Sequence, residues 1–126
     1  MDPCFNVTTL RVENVPRSLT IDAVVSMLVG EGVHDEFDFL YLPPDRRWSR
    51  HLRNRGFFIV NFREAAGAQQ FSRALDGRIV FLRQQRPAQV VAASLQGLTA
   101  NVNHCVRVSG RRGRRARSLE FGPLVL

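Results

Sequence analysis

The sequence predicts an α+β sandwich. A four-stranded antiparallel sheet should carry two helices on one face, in the order β-α-β-β-α-β, with a further helix added at the C-terminal end. Three observations support this. The run Leu10–Val15 alternates apolar and polar residues, the period of a half-buried strand, and Arg55–Phe62 sets a basic residue and a glycine before bulky apolar residues that suit a central strand. Two longer segments, starting at Ile21 and Ala65, repeat apolar residues at helical spacing. Proline and glycine punctuation stands between these runs, at Pro16, Gly30, Gly32, Pro43-Pro44 and Gly77.

Taken in order, residues 8–15 put Leu10 and Val12 on one face and Arg11 and Glu13 on the other, and Pro16 closes the strand. Thr20 is placed to cap a helix in which Ile21, Val24, Val25 and Leu28 recur through about Val29, with Gly30 and Gly32 ending it. Phe37 to Leu42 is a short strand stopped by Pro43-Pro44. The register of that strand is left open by its pattern. With Asp38 inward, Phe39 and Tyr41 face a ligand; with Asp38 outward, they are core, the side favoured for Phe39. Asp45 to Asn54 reads as a charged loop holding Trp48 and His51. The strand Gly56–Phe62 follows, then a helix through Ala65, Ala68, Phe71 and Leu75, ended by Asp76-Gly77. Arg78 to Pro87 suits a short hairpin or a wide loop. Val90 to Ala93 is the last strand, and Thr99 caps a short helix to Val106. This is the split βαβ, ferredoxin-like order, which leaves one sheet face free for a ligand or partner. The domain is expected over 8–106, after an N-terminal extension, 1–7. Residues 107–118 read as a flexible basic tail. Leu119–Leu126 turns apolar again and either packs back on the domain or stands out as an interaction peptide.

Composition bounds the chemistry. A chain of 126 residues with 44% apolar content is one folded domain with room for little more than a tail. Its net charge is +7, and all 18 basic residues are Arg. Guanidinium pairs with phosphate through a planar fork and stacks on bases, which suits RNA; codon bias would explain the missing Lys equally well. Cys4 and Cys105 have no CxxC spacing and are expected to be reduced thiols, Cys105 as apolar filler in a helix. His34, His51 and His104 lack metal-ligand spacing, so no metal and no cofactor are expected, and His104 is read as a packing histidine. No nucleophile–base or paired-carboxylate set is present, which argues against an enzyme. No membrane-spanning run occurs, and a soluble intracellular location, nuclear and/or cytoplasmic, is expected.

The runs Leu10–Val15 and Arg55–Phe62 together resemble the paired signatures of the RNA recognition motif (RRM). A narrower likeness is to the C-terminal RRM of the Mei-two-like family of meiosis-associated RNA-binding regulators. It is carried by Asn14-Val15-Pro16, by the run from Phe37 to Asp45 (FDFLYLPPD), by Gly56-Phe57 and Val60-Asn61-Phe62, and by Gln96-Gly97 with Ala100 and His104. The resemblance implies a single-stranded RNA partner bound on the sheet face. Some positions depart from the RRM pattern. Arg11 and Ile59 stand where aromatics are usual, Ala92 and Ser94 where the family shows Tyr and Arg, and the bulky Phe58 where Gly or Ala is usual on the core side. The Ala-rich second helix is expected to make room for Phe58.

The candidate RNA-binding set follows from these placements. Phe57 either stacks a base or is covered by the added helix. Arg11, Glu13, Arg55, Ile59 and Tyr41 surround it. Arg46, Arg47, Trp48, Arg50 and Arg53 cluster in the loop before the third strand, and Arg111, Arg112, Arg114 and Arg115 in the tail. Both Arg clusters suit phosphate contacts, and the tail equally suits nuclear import. The competing expectation is a protein-interaction module that uses Ile59, Ala92 and the helical face, or the C-terminal tail.

Overall fold

The computed structural model describes residues 6–45, 53–111 and 121–126, and the side chains of all of these but 109–111. The elements are β1 (Thr9–Glu13), α1 (Ile21–Gly30), β2 (Phe37–Tyr41), β3 (Pro44–Asp45), β4 (Arg53–Asn54), β5 (Phe57–Phe62), α2 (Ala65–Leu75), β6 (Gln89–Ala92), α3 (Leu98–Arg111) and β7 (Leu124–Val125). The main sheet has the order β6-β1-β5-β2-β7, antiparallel throughout. Its first four members are the expected split βαβ sheet, with β1 and β5 at the centre. β7 is an addition.

Strand parity sorts the two faces. Leu10 pairs with Val60 and Val12 with Phe58, and Leu40 faces Val60 from the other side. These residues are buried against Val24 and Leu28 of α1 and Phe71 of α2. Phe71 meets Phe62 at a 5.2 Å centroid distance. Phe58 is fully buried and meets the edge of Phe81, from the segment after α2, at 6.3 Å. Of the helix alanines, Ala68 is buried in the same core cluster as Phe58 while Ala66 is exposed, and Phe81 also closes the core beside Phe58. The segment 78–87 is a wide loop, not a hairpin, shut by Ala88 N–H to the Arg78 carbonyl at 2.8 Å.

Several expectations are corrected. Thr20 sits at the N-cap of α1 with extended backbone, but its hydroxyl makes no capping bond. The charged segment before β5 is not loop throughout: its ends pair as the ribbon β3–β4. α3 begins at Leu98 and runs to Arg111, so Thr99 lies inside the first turn and the basic tail is helical at its start. β2 carries a bulge between Phe37 and Phe39. Phe37 points into the core while Phe39 lies opposite Asn61 on the other face. Strict alternation had required Phe37 and Phe39 to share a face; one extra residue in the strand cancels that rule.

The apolar C-terminal segment packs back. Leu124 pairs with Leu40 and Val125 with Phe39, and Leu42 N–H donates to the Phe121 carbonyl at 2.9 Å. Phe121 is buried in the main core. Gly122 makes this approach possible: its φ is +84°, and a Cβ there would lie 2.9 Å from the Leu40 carbonyl oxygen.

Candidate nucleic-acid interface

The face away from α1 and α2 is set by the pairs Thr9–Asn61, Arg11–Ile59, Glu13–Phe57, Phe39–Asn61 and Tyr41–Ile59. It is not fully open. α3 packs against β2 on this side. Phe39, Ala93 and Cys105 are buried in the layer so formed, outside the main core. What is left is a cleft of about 400 Å³ between α3 and the centre of the sheet.

A buried polar cluster docks α3. The Thr9 hydroxyl donates to Asn61 Oδ1 at 2.6 Å and accepts from Gly97 N–H at 2.8 Å. Asn61 Nδ2 donates to the Asp38 carboxylate at 2.7 Å. Gln96 Oε1 accepts from the Thr8 and Thr9 N–H groups, and Asn101 Nδ2 donates to the Gly97 carbonyl at 2.8 Å. No buried side-chain polar atom among the described residues lacks a partner, so the cluster is satisfied throughout, and such clusters specify one geometry. Asn61 Oδ1 also accepts from the Thr8 hydroxyl at 2.9 Å, so Asn61→Ala strips partners from the Thr8 and Thr9 hydroxyls and from Asp38. We expect a loss of about 1–3 kcal/mol, read by denaturant unfolding. Amide exchange should rise first over Leu98–Cys105. An unchanged midpoint with unchanged α3 protection would refute this role.

The predicted sheet-face residues come together. Arg11, Tyr41, Arg55, Phe57 and Ile59 all line the cleft. The Arg11 guanidinium carbon lies 3.8 Å from the Phe57 ring centroid, a diagonal cross-strand cation–π contact. Glu13 holds that guanidinium from the side, Nε to Oε1 at 2.9 Å. Phe57 is thus half-buried, with one ring face under a flat cation and not freely exposed to solvent. Arg55 and Arg53 are exposed at the strand ends beside it. Arg46, Arg47, Trp48 and Arg50, together with Arg112, Arg114 and Arg115, lie outside the described residues, and Arg111 is described only as the last residue of α3.

Two placements depart from expectation. Ala92 pairs with Leu10 and belongs to the helix-side face; the free-face residues of β6 are Gln89 and Val91. Ser94 does reach the cleft rim. His104 is exposed at the cleft wall and is not a packing histidine. For Phe39, whose register the pattern leaves open with the core favoured, the free-face alternative holds, although the ring is buried beneath α3; sequence reasoning missed Asn101 as the docking residue of α3. The Gln96-Gly97 pair was the only local sign of the docking.

No family model matches the chain, and no curated protein matches it. Solved structures do. A chain of an Sxl-lethal protein/RNA complex is 24% identical with a TM-score of 0.56, covering 68% of this chain and 47% of that one. This chain therefore spans about half of that relative. The Rna15 RRM with bound RNA (GU) is 15% identical with a TM-score of 0.56, covering 79% and 96%. The penultimate RNA recognition motif of RBM19 is 17% identical with a TM-score of 0.57, covering 71% and 85%. The chain has the RRM fold, with a C-terminal helix over the sheet and a fifth strand at its edge.

Proposed function

We propose that this chain is a single-stranded-RNA-binding module that takes bases in the cleft beneath α3. The observation that carries this is the Arg11–Phe57 stack. A planar cation already occupies a ring face in the middle of the sheet, where an RRM platform places a nucleobase. A base either displaces the guanidinium or stacks onto it. Tyr41 and Ile59 extend the floor, and Arg55 waits at the strand end for a phosphate. The loop residues Arg46, Arg47, Trp48, Arg50 and Arg53 and the tail residues Arg111, Arg112, Arg114 and Arg115 are assigned to the RNA backbone on the strength of their charge. The β3–β4 ribbon supports this, since it roots that loop beside Arg55.

The finer reading is a post-transcriptional, Mei-two-like regulator acting in the nucleus and/or cytoplasm, with the Arg-rich tail suited to nuclear import. Its support is that FDFLYLPPD, the most specific run of that resemblance, supplies Phe39, Tyr41, Pro43 and Pro44 to the cleft. Titration of labelled single-stranded RNA at rising salt tests the binding. Each neutralised phosphate should add about −0.7 to the slope of log affinity on log salt. With five to seven contacts the slope is expected near −3.5 to −5. A salt-independent isotherm, or none, refutes the proposal.

One observation favours a second reading. Val106 and Val108 are exposed on α3, at 58% and 39%, with Val108 at the cleft, and suit a protein partner on the helical face. A partner that stays bound under excess RNA, and is lost in Val106→Asp, would favour it.

A further inference from the structure

Beyond the sheet face, a second concavity lies at the loop end of the molecule. Its walls are the β1–α1 turn, the β4–β5 junction and the wide loop between α2 and β6. It is about 590 Å³ in volume and lined by Asn14, Pro16, Ser18, Gly56 and Gln85 among others, with Arg17, Arg53, Arg55, Arg83 and Arg86. Among the described residues, no acidic side chain lines it. All five arginines are exposed. Among the described residues, the carboxylate paired with one of them is Asp45, 3.5 Å from Arg17.

The walls are built, not incidental. Asn54 is fully buried; its Nδ2 donates to the Pro16 and Leu19 carbonyls, and its Oδ1 accepts from Gly56 N–H. That locks the β1–α1 turn against the start of β5. Gln84, also buried, accepts from the Val80 and Phe81 N–H groups and donates to the Arg78 and Arg86 carbonyls. One side chain thereby shapes the whole loop that presents Arg83 and Arg86. Asn14 ties the two walls together through the Pro87 carbonyl at 3.1 Å. Arg83 itself holds a φ of +68°. A non-glycine residue in that region is strained, and here its side chain lines the concavity.

Arg55 lines both this concavity and the sheet-face cleft. The two sites are continuous through that residue. We propose that the loop-end concavity is a phosphodiester-binding site, which takes the backbone of the same RNA strand after it leaves Phe57 and passes Arg55. The proposal rests on the RNA-binding reading above and adds a direction of travel: past the β5 start, between the β1–α1 turn and the α2–β6 loop. Like charges lining one concavity repel one another, and a polyanion relieves that repulsion.

The test compares two single-stranded RNAs: one of about three nucleotides, enough for the sheet, and one of about ten. Arg83→Gln and Arg86→Gln are made singly and together; Arg63→Gln, past the far end of β5, removes one charge away from the site as a control. Each substitution in the concavity should reduce the salt slope for the long RNA by about 0.7. The pair should weaken the long RNA about tenfold at low salt and leave the short one as in wild type. Arg63→Gln should leave the slope unchanged. If the pair binds the long RNA like wild type while Phe57→Ala weakens both RNAs, this site is refuted and the sheet-face reading stands. Equal weakening of short and long RNAs also refutes it, as a general charge effect. If wild type binds neither RNA, both readings fall.

Discussion

Phe57→Ala is expected to weaken single-stranded RNA binding by about tenfold to a hundredfold, the worth of one stacked base, roughly 1–3 kcal/mol. The free-face residues around it are Arg11, Glu13, Ile59 and Tyr41, and no second aromatic ring lies on the free face of β1 or β5. Affinity therefore leans on this ring more than in a platform with several. The salt slope should hardly move, because no charge is lost. Arg11→Ala is the informative partner. It frees a ring face now held under the guanidinium at 3.8 Å, yet removes a cation from the site. The two substitutions should be non-additive, since the side chains touch. A double-mutant cycle by fluorescence anisotropy reads this directly. Phe57→Ala binding like wild type would remove base stacking from the mechanism, leaving charge as the whole of it.

Phe121→Ala is expected to cost about 3–5 kcal/mol of unfolding free energy, the usual range for a buried Phe. The ring is 2% exposed and sits within the main core, although it stands far beyond the last strand of the βαββαβ unit. The loss should unpair β7 from β2 first. Exchange of the Leu42 and Leu126 amides, which donate to the Phe121 and Asp38 carbonyls, should rise before that of β1 and β5. The same result predicts that removing residues 119–126 destabilises the domain comparably. Chemical denaturation of both variants checks it. A change under about 1 kcal/mol would mean that the segment is dispensable to the core.

Much of the fold was legible because its signals are local. Leu10, Val12, Phe58 and Val60 alternate on regular strands, so parity alone placed them in the core and placed Arg11, Phe57 and Ile59 on the opposite face. The helical spacing of Ile21, Val24 and Leu28 did the same for α1. For Phe39 the favoured side was the wrong one of the two left open, because a bulge breaks parity without any residue that announces it. Ala92 escaped because aligning the short β6 by its family likeness shifts it one position, and one position exchanges the faces.

By itself, then, the sequence determined the βαββαβ order, the identity of the central-strand faces and a strongly cationic surface, all set by neighbours a few residues apart. Tertiary structure alone decided that α3 roofs the free face, that the C-terminus becomes a fifth strand, and that Arg17, Arg55, Arg83 and Arg86 share one concavity. These depend on contacts such as Thr9 with Gly97 and Asn101, Leu40 with Leu124, and Asn14 with Pro87. Their partners are more than seventy positions apart. Which groups meet at that distance follows from how the whole chain closes, a choice no local periodicity encodes.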